Sequence, residues 1–256
     1  MKNIIKISFL TLTAAILSIS CLDTSKYEGN DPASADGAEY VTIVDGGYET
    51  PYYVIFDNGQ TAYVSENKVA QSITFPSSGP MKGEVRKLIY FNYENNKREG
   101  YDYSIRIVGM GDIYTSLLKD ISDEELAKAI PSHTASLSLA ATALSKKCNY
   151  ITLRISFLRS EENHFKHSFI LAHNKERLGM FKDAYGTSTD ADSYIWLELY
   201  HDNDTDYEIV SDEAYASYKI DTEYLGLKDL NQYKGVKILY KDMETNGAIK
   251  IHTILF

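Results

Sequence analysis

The residues of this chain most able to do chemistry are its six histidines and its surplus of carboxylates. His164-x-x-His167, with His173 beyond, has the letters of a metal site. The alternation of Phe165, His167, Phe169 and Leu171 with Lys166, Ser168 and Ile170 reads as a strand. Residues three apart on a strand point to opposite faces, and at about 3.3 Å per residue His167 and His173 would lie roughly 20 Å apart. Ordinary strand histidines are expected there, and no metal. Asp202-x-Asp204-x-Asp206, with Glu213 at the twelfth position, imitates a calcium loop. The sixth position, which calls for Gly, holds Tyr207, and the flanks read as strands where a calcium hand needs helices. A solvated hairpin loop is the better reading, with weak calcium binding as its alternative.

The remaining catalytic patterns fail on spacing. Gly109-Met110-Gly111 lacks the third glycine and the following helix of a nucleotide loop. Ser65-x-x-Lys68 has no companion motif, and no Gly-x-Ser-x-Gly occurs. Glu124–Glu125 and Glu161–Glu162 are merely adjacent in sequence, whereas catalytic carboxylate pairs are spaced by the fold. No catalytic residue and no cofactor is expected. A softer signal is the count of 21 tyrosines. Tyr48, Tyr52, Tyr101 and Tyr103 are candidates for an exposed aromatic surface that stacks on sugars or on a protein. Against this stands the high β propensity of Tyr, which fills half-buried sheet positions without any binding role.

The elements that would position these residues are strands. Arg86–Asp112 reads as a long hairpin, with both faces of its first strand partly covered and a polar turn ending in Gly100. Tyr101, Tyr103, Ile105 and Ile107 share one face of the second strand. Tyr40–Val44, Tyr52–Phe56 and Thr61–Ser65 add three short strands, and Asn58-Gly59 is a hairpin turn. Five strands in residues 39–113 predict a small OB-like barrel. Residues 114–133 read as a connector, with a capping box at Ser122–Glu125 opening a short helix. Residues 134–256 predict a β-sandwich of six or seven antiparallel strands. These include 151–157, 165–171, 194–200, 218–224, 236–240 and 249–255, with the single Trp196 in or beside the core.

Location is written at the N-terminus. Residues 1–20 have a charged start, Lys2 and Lys6, and an apolar run from Ile7 to Ile19. That run is too short to span a bilayer, which takes about 20 residues, and reads as a secretion signal. Ser18-Ile19-Ser20-Cys21 resembles a lipobox, so Cys21 is the expected site of lipid attachment. Residues 21–38 form an acylated, flexible tether rich in Asp, Ser and Gly. Acylation would leave Cys148 as the one other cysteine, without an intrachain partner. Removing the signal leaves 24 basic against 36 acidic residues. That balance argues against nucleic acid and against docking on anionic lipid by charge. The acyl chains alone, at about 0.8 kcal/mol per buried CH₂, would hold the membrane.

The run YYVIFDNGQTAYVSEN (52–67), EVRKLIYFNY (84–93), GYDYSIRI (100–107), LLKDIS (117–122), the YITLRISF and HFKHSFILAHN strands, and WLELYHDNDTDYE (196–208) together resemble the NigD-like lipoproteins of Bacteroidetes-type bacteria. The resemblance spans essentially the whole mature chain and rests on strand and turn patterns, with no catalytic signature. Members often carry a Trp-Gly-Gly-Asp-like stretch where this chain has Ala143–Asn149. The resemblance implies an OB-like domain followed by a β-sandwich, and a role in bacteriocin immunity. The expectation is a non-catalytic, lipid-anchored protein of the cell envelope, outer-membrane bound and facing the periplasm or the surface. Its partner would be an envelope protein. The alternative is a carbohydrate-binding module of an outer-membrane assembly.

Overall fold

The computed structural model describes residues 34–47, 52–65, 68–129, 137–161, 167–174, 177, 191–203, 206, 210–245 and 247–256. The fold is all-β. Five strands close the first unit: β1 (Gly37–Asp45), β2 (Tyr52–Phe56), β3 (Thr61–Val64), β4 (Glu84–Tyr93) and β5 (Tyr103–Asp112). They follow each other around the barrel in the order β1-β2-β3-β5-β4. Alternation decides which side chains fill it. Val41, Ile43, Val54, Phe56, Ile89, Phe91, Ile105 and Ile107 point inward, and Ile73, from the segment behind the short helix α1 (Lys68–Gln71), joins them. The barrel is not wholly antiparallel, because β3 and β5 run parallel. A bulge opposite Tyr90 and Phe91 turns Val108 outward, against Leu88, Tyr90 and Tyr40. The outer face of β4 is thus covered, as its uniformly large residues require.

The Asn58-Gly59 turn is tighter in Gly59 than in Asn58. Gly59 alone takes a positive φ, +85°, and Phe56 exchanges backbone bonds with Gln60 and Gly59. A type I turn followed by a left-handed glycine therefore replaces the two-residue turn.

The second unit is one nine-stranded sheet folded on itself. One half runs β6 (Tyr114–Leu117), β12 (Val210–Lys219), β9 (Tyr150–Arg159), β8 (Leu137–Ser145). The other runs β13 (Gly235–Asp242), β11 (Tyr194–Asp202), β10 (Ser168–His173), β7 (Lys119–Asp120), with β14 (Ala248–Leu255) on β13. The halves join only where Asp242 meets Leu137, so the sheet creases there and the two inner faces meet. Leu137, Ile151, Leu153, Ile155, Ala216 and Tyr218 from one half pack on Leu171, Ile195, Leu197, Leu199, Val236 and Ile238 from the other. This is a β-sandwich, with parallel pairs at β6·β12, β7·β10 and β11·β13 among its antiparallel ones.

The segment read as a connector supplies two strands, since β6 and β7 extend the sheet at its two ends. Its helix α2 (Asp123–Ala129) opens on the expected capping box, with Glu125 N–H donating to Ser122 Oγ at 3.2 Å and Ser122 N–H donating to Glu125 at 3.0 Å. The strand expected at 218–224 ends at Lys219, and turns follow through Gly226. Its length lies upstream, in the charged run 210–219. Trp196 is buried on the face away from the main core, against Leu239, with its indole N–H donating to the Ala191 carbonyl at 2.9 Å. Among the described residues no helix is long and apolar enough to cross a membrane.

Candidate functional site

The densest polar chemistry lies at the seam between barrel and sandwich. Arg86 sits on the outer face of β4 with a fully buried side chain. Its guanidinium donates to Asp57 (2.7 Å) and Thr42 (3.4 Å) of the barrel, and to Thr152 (2.8 Å) and Ser217 (3.2 Å) of the sandwich. Two residues earlier on β4, Glu84 accepts from the Tyr150 hydroxyl at 2.9 Å and the Lys219 ammonium at 2.6 Å, both from the sandwich. Lys219 also reaches the Cys148 carbonyl at 2.8 Å. Burial, then the Glu84 charge, pushes the Tyr150 phenol well above its ordinary value, so it stays a neutral donor. Around these bonds Ile55, Val44 and Tyr53 of the barrel pack on Cys148 and Tyr150, and Tyr40 meets Tyr215 with centroids 5.5 Å apart. A charge buried this completely is tolerated only when paired and hydrogen-bonded. The two domains are accordingly keyed together.

Two surfaces open beside the seam. On one, Tyr101 lies 6.0 Å from Tyr53 and 5.9 Å from Tyr63, and the Arg98 guanidinium sits 4.5 Å over the Tyr63 ring. All three tyrosines are half-buried. They come from β2, β3 and the β4–β5 connection, the side on which OB-type barrels bind ligands. The rings are tilted by 53° and 56°, so the platform presents edges and hydroxyls and has no single flat plane. The second is a cleft of ≈ 220 Å³ where the β3–β4 connection, β4, the end of β5 and Tyr150 meet.

The tyrosines singled out from sequence separate. Tyr101 belongs to the platform. Tyr52 stacks on Phe75 (5.5 Å) against the barrel core. Tyr103 packs between Phe56 (6.3 Å) and Tyr93 (5.4 Å), its hydroxyl accepting from Gln60 at 2.9 Å. Tyr48 and Cys21 lie outside the described residues. Tyr53 and Tyr63, which complete the platform, share strands with Tyr52 and the core and carry no distinguishing local signal. Arg86 was equally hidden, as one cation in a strand.

The described residues of the imitation motifs take part in structural contacts. The strands that flank the acidic motif, β11 and β12, do not pair with each other and belong to opposite halves of the sandwich. Glu213 accepts from two guanidinium nitrogens of Arg154, Nε at 3.0 Å and Nη2 at 2.8 Å. Asp206 accepts from the Ser160 N–H at 2.7 Å and pairs with His167 at 3.0 Å. Asp204 and His164 lie outside the described residues. His167 and His201 are bonded nitrogen to nitrogen at 2.9 Å, a cross-strand cluster that spacing along one strand could not reveal. No group of three or more ligating side chains is placed to hold a metal among the described residues. Ser65 donates to Glu94, and Gly109–Gly111 continue strand β5. Glu198 is buried; desolvation pushes its carboxyl above the ordinary range against the pull of the Tyr200 hydroxyl and Arg177.

A family model described as the NigD-like C-terminal beta sandwich domain matches residues 123–253, just over half of the 256 residues. The chain belongs to the NigD-like family. Solved structures share the two-domain fold at low identity. A protein of unknown function from Bacteroides vulgatus aligns with a TM-score of 0.60 and 16% identity, covering 86% of this chain and 90% of that one. A NigD-like immunity protein from Bacteroides caccae aligns at 0.55 and 15%, covering 84% and 91%. A protein described as a lipoprotein from Bacteroides fragilis aligns at 0.53 and 14%, covering 86% and 97%. No curated protein sequence matches the chain.

Proposed function

We propose that this NigD-like protein is a non-catalytic interaction protein, lipid-anchored through Cys21 in the cell envelope, with an immunity-like role toward an envelope protein. The observation that carries the reading is the Tyr53–Tyr63–Tyr101 platform with Arg98, held on a rigid two-domain frame by the buried Arg86 network. Tyrosine and arginine are enriched at protein interfaces, where a rigid ring adds contact area at small entropic cost. The tilt of the rings suits an irregular protein surface better than the flat face of a sugar. The immunity protein from Bacteroides caccae and the lipoprotein from Bacteroides fragilis, which share the fold, support the role and the anchor respectively. The buried carboxyl of Glu198 is tied to its sheet neighbour Tyr200 and to Arg177, which supports a structural use.

The test is crosslinking in intact cells of the tagged chain against a variant with all three platform tyrosines changed to Ala, each checked for fold. The reading expects a protein retained by the first and lost by the second. A glycan panel bound by the first and not the second would move the assignment to carbohydrate.

A further inference from the structure

We infer that the cleft beside Glu84 receives one lysine side chain of the protein partner; the inference rests on the reading above. The cleft is ≈ 220 Å³, lined by Pro76, Met81, Val85 and Ile113 on its apolar wall and by Glu84 and Tyr150 at the seam. That is below the roughly 300–1,000 Å³ of small-molecule pockets, and leaves room for one long side chain. An apolar wall ending in an acceptor fits a lysine, whose methylene stem lies along hydrocarbon while its head finds a charge.

The acceptor has one open position. Oε1 of Glu84 takes both the Tyr150 hydroxyl and the Lys219 ammonium, while among the described residues Oε2 takes no hydrogen bond. A single open oxygen suits a point-like ammonium. A guanidinium fork wants both carboxylate oxygens side by side. The cations that border the cleft do not compete for that oxygen. Arg86 is bound to Asp57 and to hydroxyls of both domains, and Lys87 to Asp112. The net charge of −10 adds a long-range attraction for a cationic partner.

The full chain, in detergent micelles, is titrated with Nα-acetyl-lysine methylamide and followed by NMR at the Met81 methyl and the Val85 and Thr115 amides. Saturable shifts are expected at all three. The neutral isostere Nα-acetyl-norleucine methylamide should bind at least about tenfold more weakly, and Glu84→Gln should weaken the lysine probe by a similar factor. Met81→Trp fills the cleft from the loop side without replacing a residue of the seam bonds, and should abolish the shifts at the Val85 and Thr115 amides with Tm unchanged. Equal binding of the two probes, or no shift at these positions, overturns the assignment. The two readings fail separately. Lysine binding with no crosslinked partner removes the interaction reading and leaves the cleft. A partner retained at full strength by Met81→Trp and Glu84→Gln removes the cleft and leaves the interaction reading.

Discussion

Replacing Arg86 by Met should uncouple the two domains. The Arg86 side chain is fully buried and gives up bonds to four side chains, two on each domain. Met fills similar volume and donates nothing. Asp57 would lose its cation while one of its oxygens, Oδ1, already lacks a hydrogen-bond partner, and the Thr152 and Ser217 hydroxyls would keep only each other, at 2.9 Å. Removing one member of a buried ion pair costs about 3–5 kcal/mol. At about 2–4 °C per kcal/mol for a chain of this size, Tm should fall by roughly 6–20 °C. The assay is urea unfolding followed by two signals. Trp196 emission reports the sandwich, since the barrel has no tryptophan, and far-UV circular dichroism reports both domains. The two transitions should coincide in the parent and separate in Arg86→Met. Arg86→Met with Asp57→Leu should recover part of the loss, because an apolar pair leaves no buried charge alone. A loss below about 1 kcal/mol with coincident transitions would refute the reasoning, placing Arg86 among the surface-type pairs.

Gly235→Ala should destabilise the sandwich by about 1–3 kcal/mol, the range for forcing extra volume into a packed site. A Cβ there would meet the Ile254 carbonyl oxygen at 2.1 Å, where Gly235 pairs with Leu255 in the β13–β14 ladder; urea midpoints check it, and an unchanged midpoint contradicts it. Burial pushes the Asp242 carboxyl up, but Lys250 (2.8 Å) and Thr245 (2.9 and 3.0 Å) more than reverse this and hold it below the ordinary carboxylate range. Its stabilisation is therefore present above the unfolded value of about 3.9 and lost as pH falls through the lower folded value. Asp242→Asn should flatten that acid limb of a Tm-against-pH profile, and an unaltered limb would show that Asp242 does not contribute to it.

The barrel was legible in sequence because β1 and β5 carry apolar residues at alternate positions, β2 and β4 are apolar on both faces, and the turns are marked by glycines such as Gly59 and Gly100, both at positive φ. The sandwich was legible as a class but not in its strand list. Strand β8, LSLAATALS, is rich in alanine, which has poor β propensity. Strand β12, VSDEAYASYK, hides its periodicity under charges that are paid for across the sheet, Glu213 by Arg154 and Asp212 by Arg159. The crease at Asp242–Leu137 and the parallel pairings depend on contacts between distant segments. The same holds for the seam, where Arg86 meets Ser217 across 131 residues of chain. Local patterns specify a face and a period; they cannot specify which distant face a strand will meet.

The central claim is that the tyrosine platform is the contact surface of an anchored interaction protein. The most direct measurement is in-cell crosslinking through a photo-reactive group placed at Tyr63, in the full chain, with Arg98→Ala as the comparison. The account predicts one dominant envelope protein crosslinked at Tyr63 and lost in Arg98→Ala, with the fold of both domains intact by far-UV circular dichroism. The same crosslinked set from Tyr63 and from an exposed position on β14 of the sandwich, such as Ile249, would contradict it.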